Sequence, residues 1–243
     1  MSTFLAPQPM NHGLHFRAQA LRGEGAALTP FLGVDHAYMS APTFPPHRHA
    51  GMAAVSYVFE DAETGLENRD SLGNANLIAP GGLHWFSAGS GAVHAEDPAA
   101  SGRSVHSLQI FVALPKPLRD AAPSTLSLDP QDMPRLQRPG ADIRVVLGEH
   151  DGAQSPITPP TAVTLLDIGL EPGASLTLAI LAGHNAFLLP VLGAVNVDGQ
   201  AIDAAQPLVP LYPPRAAAQT LSVTAGDAPA RVVYFAGDPA VVA

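Results

Sequence analysis

The residues whose types and spacing could do chemistry lie in two short segments. Phe44-Pro45-Pro46-His47-Arg48-His49 sets two imidazoles two positions apart, and Gly91-Ala92-Val93-His94-Ala95-Glu96 sets an imidazole and a carboxylate at the same spacing. In extended chain, residues i and i+2 point to one face, so each segment delivers a convergent pair. Adjacent strands of a sheet lie about 4.8 Å apart, so two such pairs on neighbouring inward-facing strands close on one point. Three neutral nitrogens and an anionic oxygen suit one divalent ion of Fe, Mn, Co, Ni, Cu or Zn. An octahedral ion so held keeps two positions open for water, dioxygen or a bidentate substrate. A lone His-x-His is weak evidence for a metal, because structural histidines fall at that spacing equally often. The repeated spacing, in a chain with no cysteine to offer a thiolate site, makes metal binding through His47, His49, His94 and Glu96 the leading expectation.

Positioning these pairs requires strands, and the chain reads as all-β. Its 25 prolines and 22 glycines punctuate short apolar runs. The runs predict strands over Ala53–Phe59, Asn74–Ile78, Leu83–Ser87 and Val105–Leu114 in the first half. In the second half they predict Ala162–Leu170, Ser175–Leu181, Ala186–Val191, Ala194–Val197, Leu208–Leu211, Thr220–Val223 and Arg231–Phe235. Between the halves, Pro115 to Gly140 carries prolines and charges without periodicity, which predicts a surface linker with a short helix over Pro117–Ala122. An apolar run, a Pro-Gly turn and a second apolar run recur around Pro80-Gly81 and Pro172-Gly173, which suggests an internal duplication.

Composition narrows the function. Hydrophobic residues make up 47% of the chain and charged residues 14%, the balance of a packed protein. The formal charge is −9 and Lys116 is the sole lysine, so no basic surface is available for a phosphate backbone and direct nucleic-acid binding is not expected. The opening MSTFLAPQPMNHG has no basic region followed by an apolar core, and no apolar run reaches the roughly 18 residues of a membrane span. No membrane association and a cytoplasmic location are therefore expected. Gly89-x-Gly91 precedes neither a helix start nor a lysine, which argues against a phosphate loop.

The chain also resembles the pirin family. The segments Phe44–Met52, Val55–Glu60, Arg69–Asn74, Pro80–Trp85, Ala88–Glu96 and His106–Val112 look like pirin blocks in pirin order. Pro30–His36 resembles the family's N-terminal strand, and Glu171–Ala174 with Ala182–Asn185 its C-terminal cupin. The resemblance implies two tandem cupin domains, a bicupin. Residues 1–120 would form an N-terminal metal-binding cupin, 121–142 a linker and 143–243 a metal-free C-terminal cupin. By that resemblance His47, His49, His94 and Glu96 fall on the positions that ligate iron in pirins, with Fe(II) the expected ion. Ala50 departs from the family, many members of which carry Arg there. The resemblance further implies a quercetinase-type dioxygenase, with a flavonol or similar phenolic and dioxygen as reactants. Glu96 would serve as ligand or as the base that takes the substrate's hydroxyl proton. The competing implication is a non-enzymatic metal- or redox-sensing regulator that binds a transcription factor or a metabolic enzyme.

Three further residues are candidates for supporting the metal. His84 and Trp85 follow a Pro-Gly-Gly turn and could line the pocket, although a Trp in a barrel is more often core. His106 begins a strand and could donate to a ligand, or simply be a satisfied structural histidine. Asp70, Ser71, Gly73 and Asn74 read as a hairpin turn with no chemistry.

Overall fold

The computed structural model of the chain describes residues 3–23 and 26–242. Two β-barrels account for nearly all of them, each built from a seven-stranded and a four-stranded antiparallel sheet. In the first barrel the large sheet runs β12 (Ser124–Leu128), β9 (Leu83–Ser87), β6 (Met52–Val58), β11 (Val105–Ala113), β4 (Phe31–Met39), β3 (Phe16–Leu21), β2 (Gln8–His12). Its small sheet runs β5 (His47–His49), β10 (Ala92–Pro98), β7 (Leu66–Asp70), β8 (Ala75–Ile78). In the second barrel the large sheet runs β1 (Thr3–Leu5), β22 (Val209–Tyr212), β19 (Asn185–Leu192), β24 (Ala230–Gly237), β17 (Val163–Leu170), β14 (Ala141–Leu147), β13 (Arg135–Arg138). Its small sheet runs β18 (Ser175–Ile180), β23 (Gln219–Ala225), β20 (Ala194–Val197), β21 (Gln200–Asp203). A short ribbon of β15 (Glu149–His150) and β16 (Ala153–Gln154) stands apart. The molecule is all-β, two tandem cupin barrels, as the sequence implied. Strands in matching places of the two barrels are also connected in matching order, so β6, β11 and β4 occupy the places of β19, β24 and β17.

The two large sheets are buried on both faces, which explains why their strands read as nearly continuous apolar runs. One face of each packs against the other: Val55, Tyr57, Trp85, Leu108 and Ile110 meet Leu165, Phe187, Val233 and Phe235 in one hydrophobic core. The opposite faces turn into the two barrels. Burying both faces demands that strand parity decide everything, because a one-residue slip would exchange interior for interface. Pro190 is tolerated in the interior strand β19 because it lies beside a bulge and beyond Ala186 and Phe187, where β22 pairs.

Three expectations about organisation need correction. The segment 121–142 is not a bare linker: β12 closes the first large sheet by pairing with β9, and β13 pairs with β14 in the second. Polar, proline-flanked edge strands lack the apolar alternation that signals a strand. The predicted helix is a single 3-10 turn at Lys116–Leu118. The first residues, expected in the N-terminal cupin, instead send β1 to the edge of the second barrel, where Thr3 to Leu5 pair with Leu211 to Val209. No helix among the described residues is long and apolar enough to cross a membrane.

Candidate metal centre

β5 and β10 pair antiparallel with His94 opposite His47 and Ala92 opposite His49. The two-residue spacing therefore brings three imidazoles to one face, in a triangle with ring centroids 4.8, 4.8 and 5.0 Å apart. Their candidate donor nitrogens all lie within 4.8 Å of one another. Arg48, between the two β5 histidines, points the other way and donates to the Ser90 carbonyl at 2.7 Å. Its guanidinium lies across Gly91, where a side chain would overlap it, so that glycine fixes how β5 meets the start of β10.

The donor set fits a divalent ion. His47 donates Nδ1–H to the Pro45 carbonyl at 3.1 Å, which leaves Nε2 as the free lone pair and orients the ring. His49 Nε2 and His94 Nδ1 are buried with no hydrogen-bond partner, an unfavourable arrangement unless something binds there. Burial, followed by the His47, His49 and His84 rings, pushes the His94 imidazole down to about 3. Burial and His47 lower that of His49. Both rings are therefore neutral at pH 7, the form in which imidazole ligates. Phe86 stacks on His94 at 4.8 Å and holds its plane.

Glu96 shares the face of His94, but its carboxylate stands 3.9 Å from His94 Nδ1 and outside the three-histidine cluster. The Ser56 hydroxyl engages it instead, at 2.7 and 2.8 Å from its two oxygens, and also lies 3.1 Å from Gln109 Oε1. Burial lifts the Glu96 carboxyl to about 7 against the opposing pull of Ser56. Ser56 and Gln109 belong to a polar row that crosses the inner face in register: Asp35 on β4, Gln109 on β11, Ser56 on β6, His84 on β9 and Ser127 on β12. The histidine cluster and Glu96 open onto a cavity of about 300 Å³, otherwise lined mainly by Met10, Phe16, Met39, Phe44, Leu66 and Phe111.

Of the three expected supporting residues, the structure turns one inward. His84 lies in the polar row, with Nδ1 2.9 Å from the Ser127 hydroxyl and a buried Nε2 without a partner. Trp85, its neighbour, must face the other way. It is fully buried in the core between the sheets, its indole N–H donating to Ser87 at 2.9 Å. His106 also lies away from the metal: it shares the parity of Leu108 and Ile110, and bonds Asp61 at 3.0 Å and His36 at 2.8 Å between the barrels. Asp70 behaves as the turn residue expected, accepting from the backbone N–H groups of Leu72 and Asn74. Ser56, Gln109, Asp35 and Arg22 were missed, although for the first three the signal was available as polar side chains at inward parity in otherwise apolar strands, whereas Arg22 lies just past the end of β3.

A hollow first barrel whose three-imidazole cluster could hold a metal ion, joined to a second barrel, defines a bicupin. Residues 16–112 match the family model described as Pirin. The chain is 31% identical to Pirin of Homo sapiens over 211 residues, 86% of this chain and 71% of that protein. It is 32% identical to Pirin-like protein 2 of Arabidopsis thaliana over 185 residues, 76% of this chain but only 56% of that protein's length. Among solved structures, GK1651 from Geobacillus kaustophilus superposes with a TM-score of 0.87 at 30% identity, covering 98% of this chain and 95% of that one. A quercetin 2,3-dioxygenase from Acinetobacter baumannii shares the fold, with a TM-score of 0.82 at 24% identity over 98% of this chain and 88% of that one. The chain belongs to the pirin family.

Proposed function

We propose that this pirin is a mononuclear non-haem metal protein, with iron(II) as the ion, and a dioxygenase acting on a flavonol or similar phenolic. The observation that carries this reading is the triangle of imidazoles whose candidate donor nitrogens lie within 4.8 Å of one another, opening onto an apolar cavity. His47, His49 and His94 would hold the ion, with Glu96 beside them as a fourth ligand or as a free base. Bound there, a divalent ion supplies a Lewis-acid centre at which an enediol-like phenolic can chelate and react with dioxygen. The protein's own groups do the rest. Glu96 accepts the proton of the phenol hydroxyl at a carboxylate oxygen, and Ser56 with Gln109 keeps that carboxylate aimed at the cavity. Phe111, Phe44 and Met39 flank a flat ring and exclude water. The resemblance of fold to a quercetin 2,3-dioxygenase supports the same substrate class.

Metal analysis of protein purified without nickel affinity, followed by oxygen uptake on the iron-loaded protein with a flavonol panel, tests the reading. One ion per chain and flavonol-dependent uptake are expected, with both lost in His47→Ala. Full turnover in Glu96→Ala would remove its role as base. One ion per chain without uptake on any phenolic would overturn the enzymatic reading in favour of a metal-dependent regulator.

A further inference from the structure

The cavity has a second polar end. Arg22 and Asp35 line it together with the histidines, and Asp35 is two strands from Ser56 along the polar row. Two strand spacings place it about 10 Å from the residue that holds Glu96. Phe111 lies between, its ring centroid 5.9 Å from that of His49 and 5.7 Å from the Arg22 guanidinium. The Arg22 head group is built in place. Nη1 donates to Asp35 Oδ1 at 2.5 Å and to the Leu21 carbonyl at 3.0 Å, and Nη2 donates to Asp35 Oδ2 at 2.9 Å. The side chain lies against Gly33, where a methyl group would press on it.

A guanidinium has five N–H donors, so Nε–H and one Nη2–H have no acceptor among the described residues. Asp35 is buried to 5% exposure and cancels the guanidinium's charge, while its oxygens keep lone pairs to spare. The pair is thus electrically neutral and offers a donor beside an acceptor, at the far end of an aromatic-lined slot. A hydroxyl complements both at once, whereas a carboxylate would meet Asp35 as a like charge.

We propose that Arg22 and Asp35 are specificity-determining residues that read a phenolic hydroxyl at the ligand end remote from the histidine cluster, selecting phenolics hydroxylated at that distal position. This rests on the metal-chelating phenolic reading above. The test uses zinc(II)-loaded protein, which is redox-inert, titrated with 3-hydroxyflavone, 3,4′-dihydroxyflavone and the 4′-carboxylate of 3-hydroxyflavone, with the absorbance shift of the chelated flavonol as readout. The 4′-hydroxyl compound is expected to bind about tenfold more tightly than 3-hydroxyflavone, and the carboxylate no more tightly. Arg22→Gln should abolish that advantage while zinc stays at one per chain. Equal affinities in the wild-type protein, or an advantage that survives in Arg22→Gln, would overturn the proposal whatever the stability of the variant. Tighter binding of the carboxylate would overturn it too, by making Arg22 a plain anion site. Bound zinc with no absorbance shift for any flavonol would instead sink the phenolic reading itself, and the proposal with it.

Discussion

The two barrels share a strand order and differ in what their inner faces carry. In the first, β5 and β10 turn His47, His49, His94 and Glu96 inward; in the second, the strands in the same places, β18 and β23, contribute Leu178, Ile180, Leu221 and Val223 to a packed core. The large sheets differ in the same way. Asp35, Gln109 and Ser56 cross β4, β11 and β6, whereas Ile168, Val232 and Leu188 fill the corresponding strands β17, β24 and β19. Branched apolar side chains interdigitate and close the space between the sheets. The polar row does not, and the first barrel keeps a cavity beside it. The second barrel and the interface between the barrels therefore supply packing, and the first trades part of its interior for a site.

The largest expected effect comes from removing a corner of the imidazole triangle. His94→Ala should weaken divalent-metal binding by more than about 100-fold, beyond the range typical of losing only a hydrogen bond to a ligand, as read by metal titration of the apoprotein. Unchanged affinity would remove the functional contrast between the barrels. Next comes the joint that holds them. Asp167 of the second barrel is fully buried, bonded by Tyr57 of the first at 2.6 Å and by Arg231 at 2.5 and 2.7 Å, and Arg231 reaches back to Asp61 at 3.0 Å. Arg231→Met leaves that carboxylate without its cation and should cost about 3–5 kcal/mol in denaturant unfolding. A loss below about 1 kcal/mol would mean that Asp167 is not relying on Arg231. Leu178→Ala, in the filled barrel, should cost about 2–5 kcal/mol and leave metal stoichiometry unchanged. A fall in metal content there would show that the second barrel shapes the site.

Much of this was legible in the sequence, and the parts that were not share a cause. Val105–Ala113 and Val163–Leu170 announce themselves because apolar residues fall on both faces, interrupted only by a few polar side chains such as Gln109 and Asp167. β14 went unread because Arg144 and Asp142 suggest surface, yet Arg144 is 4% exposed: it pairs with Glu60 and donates to the Gly81 carbonyl at 2.7 Å. β7 and β10 carry Asn, Arg, Asp, His and Glu, so they read as a turn approach and a motif rather than as a sheet. The ligand spacing was legible because the strand period is two, and the same period forbids His84 and Trp85 from sharing a face. Whether His106 looked into the barrel or away from it required knowing that a second sheet covers the outer face, a long-range fact that no local pattern contains.

That outer face supplies the smallest effect, and one that separates interface from site. His36 and His106 meet between the sheets with their Nε2 atoms 2.8 Å apart. Burial, then His106 and Arg17, push the His36 imidazole down to about 3; Asp61 pulls upward and Arg231 adds to the fall. In the unfolded chain an imidazole protonates near 6.5. Above that pH His36 is neutral in both states and stability does not depend on it. As pH falls from 6.5 toward 3 the unfolded chain binds a proton that the folded ring refuses, so stability declines across that window by up to about 1.4 kcal/mol per pH unit. Denaturant unfolding of the wild-type protein and His36→Gln at about pH 7 and pH 5 measures the difference. The variant should lose less stability on acidification, by up to about one proton's worth of slope, with metal affinity at pH 7 unaltered. An identical slope in the two proteins would show that His36 accepts its proton in the folded state, and that the interface tolerates a charge its burial argues against.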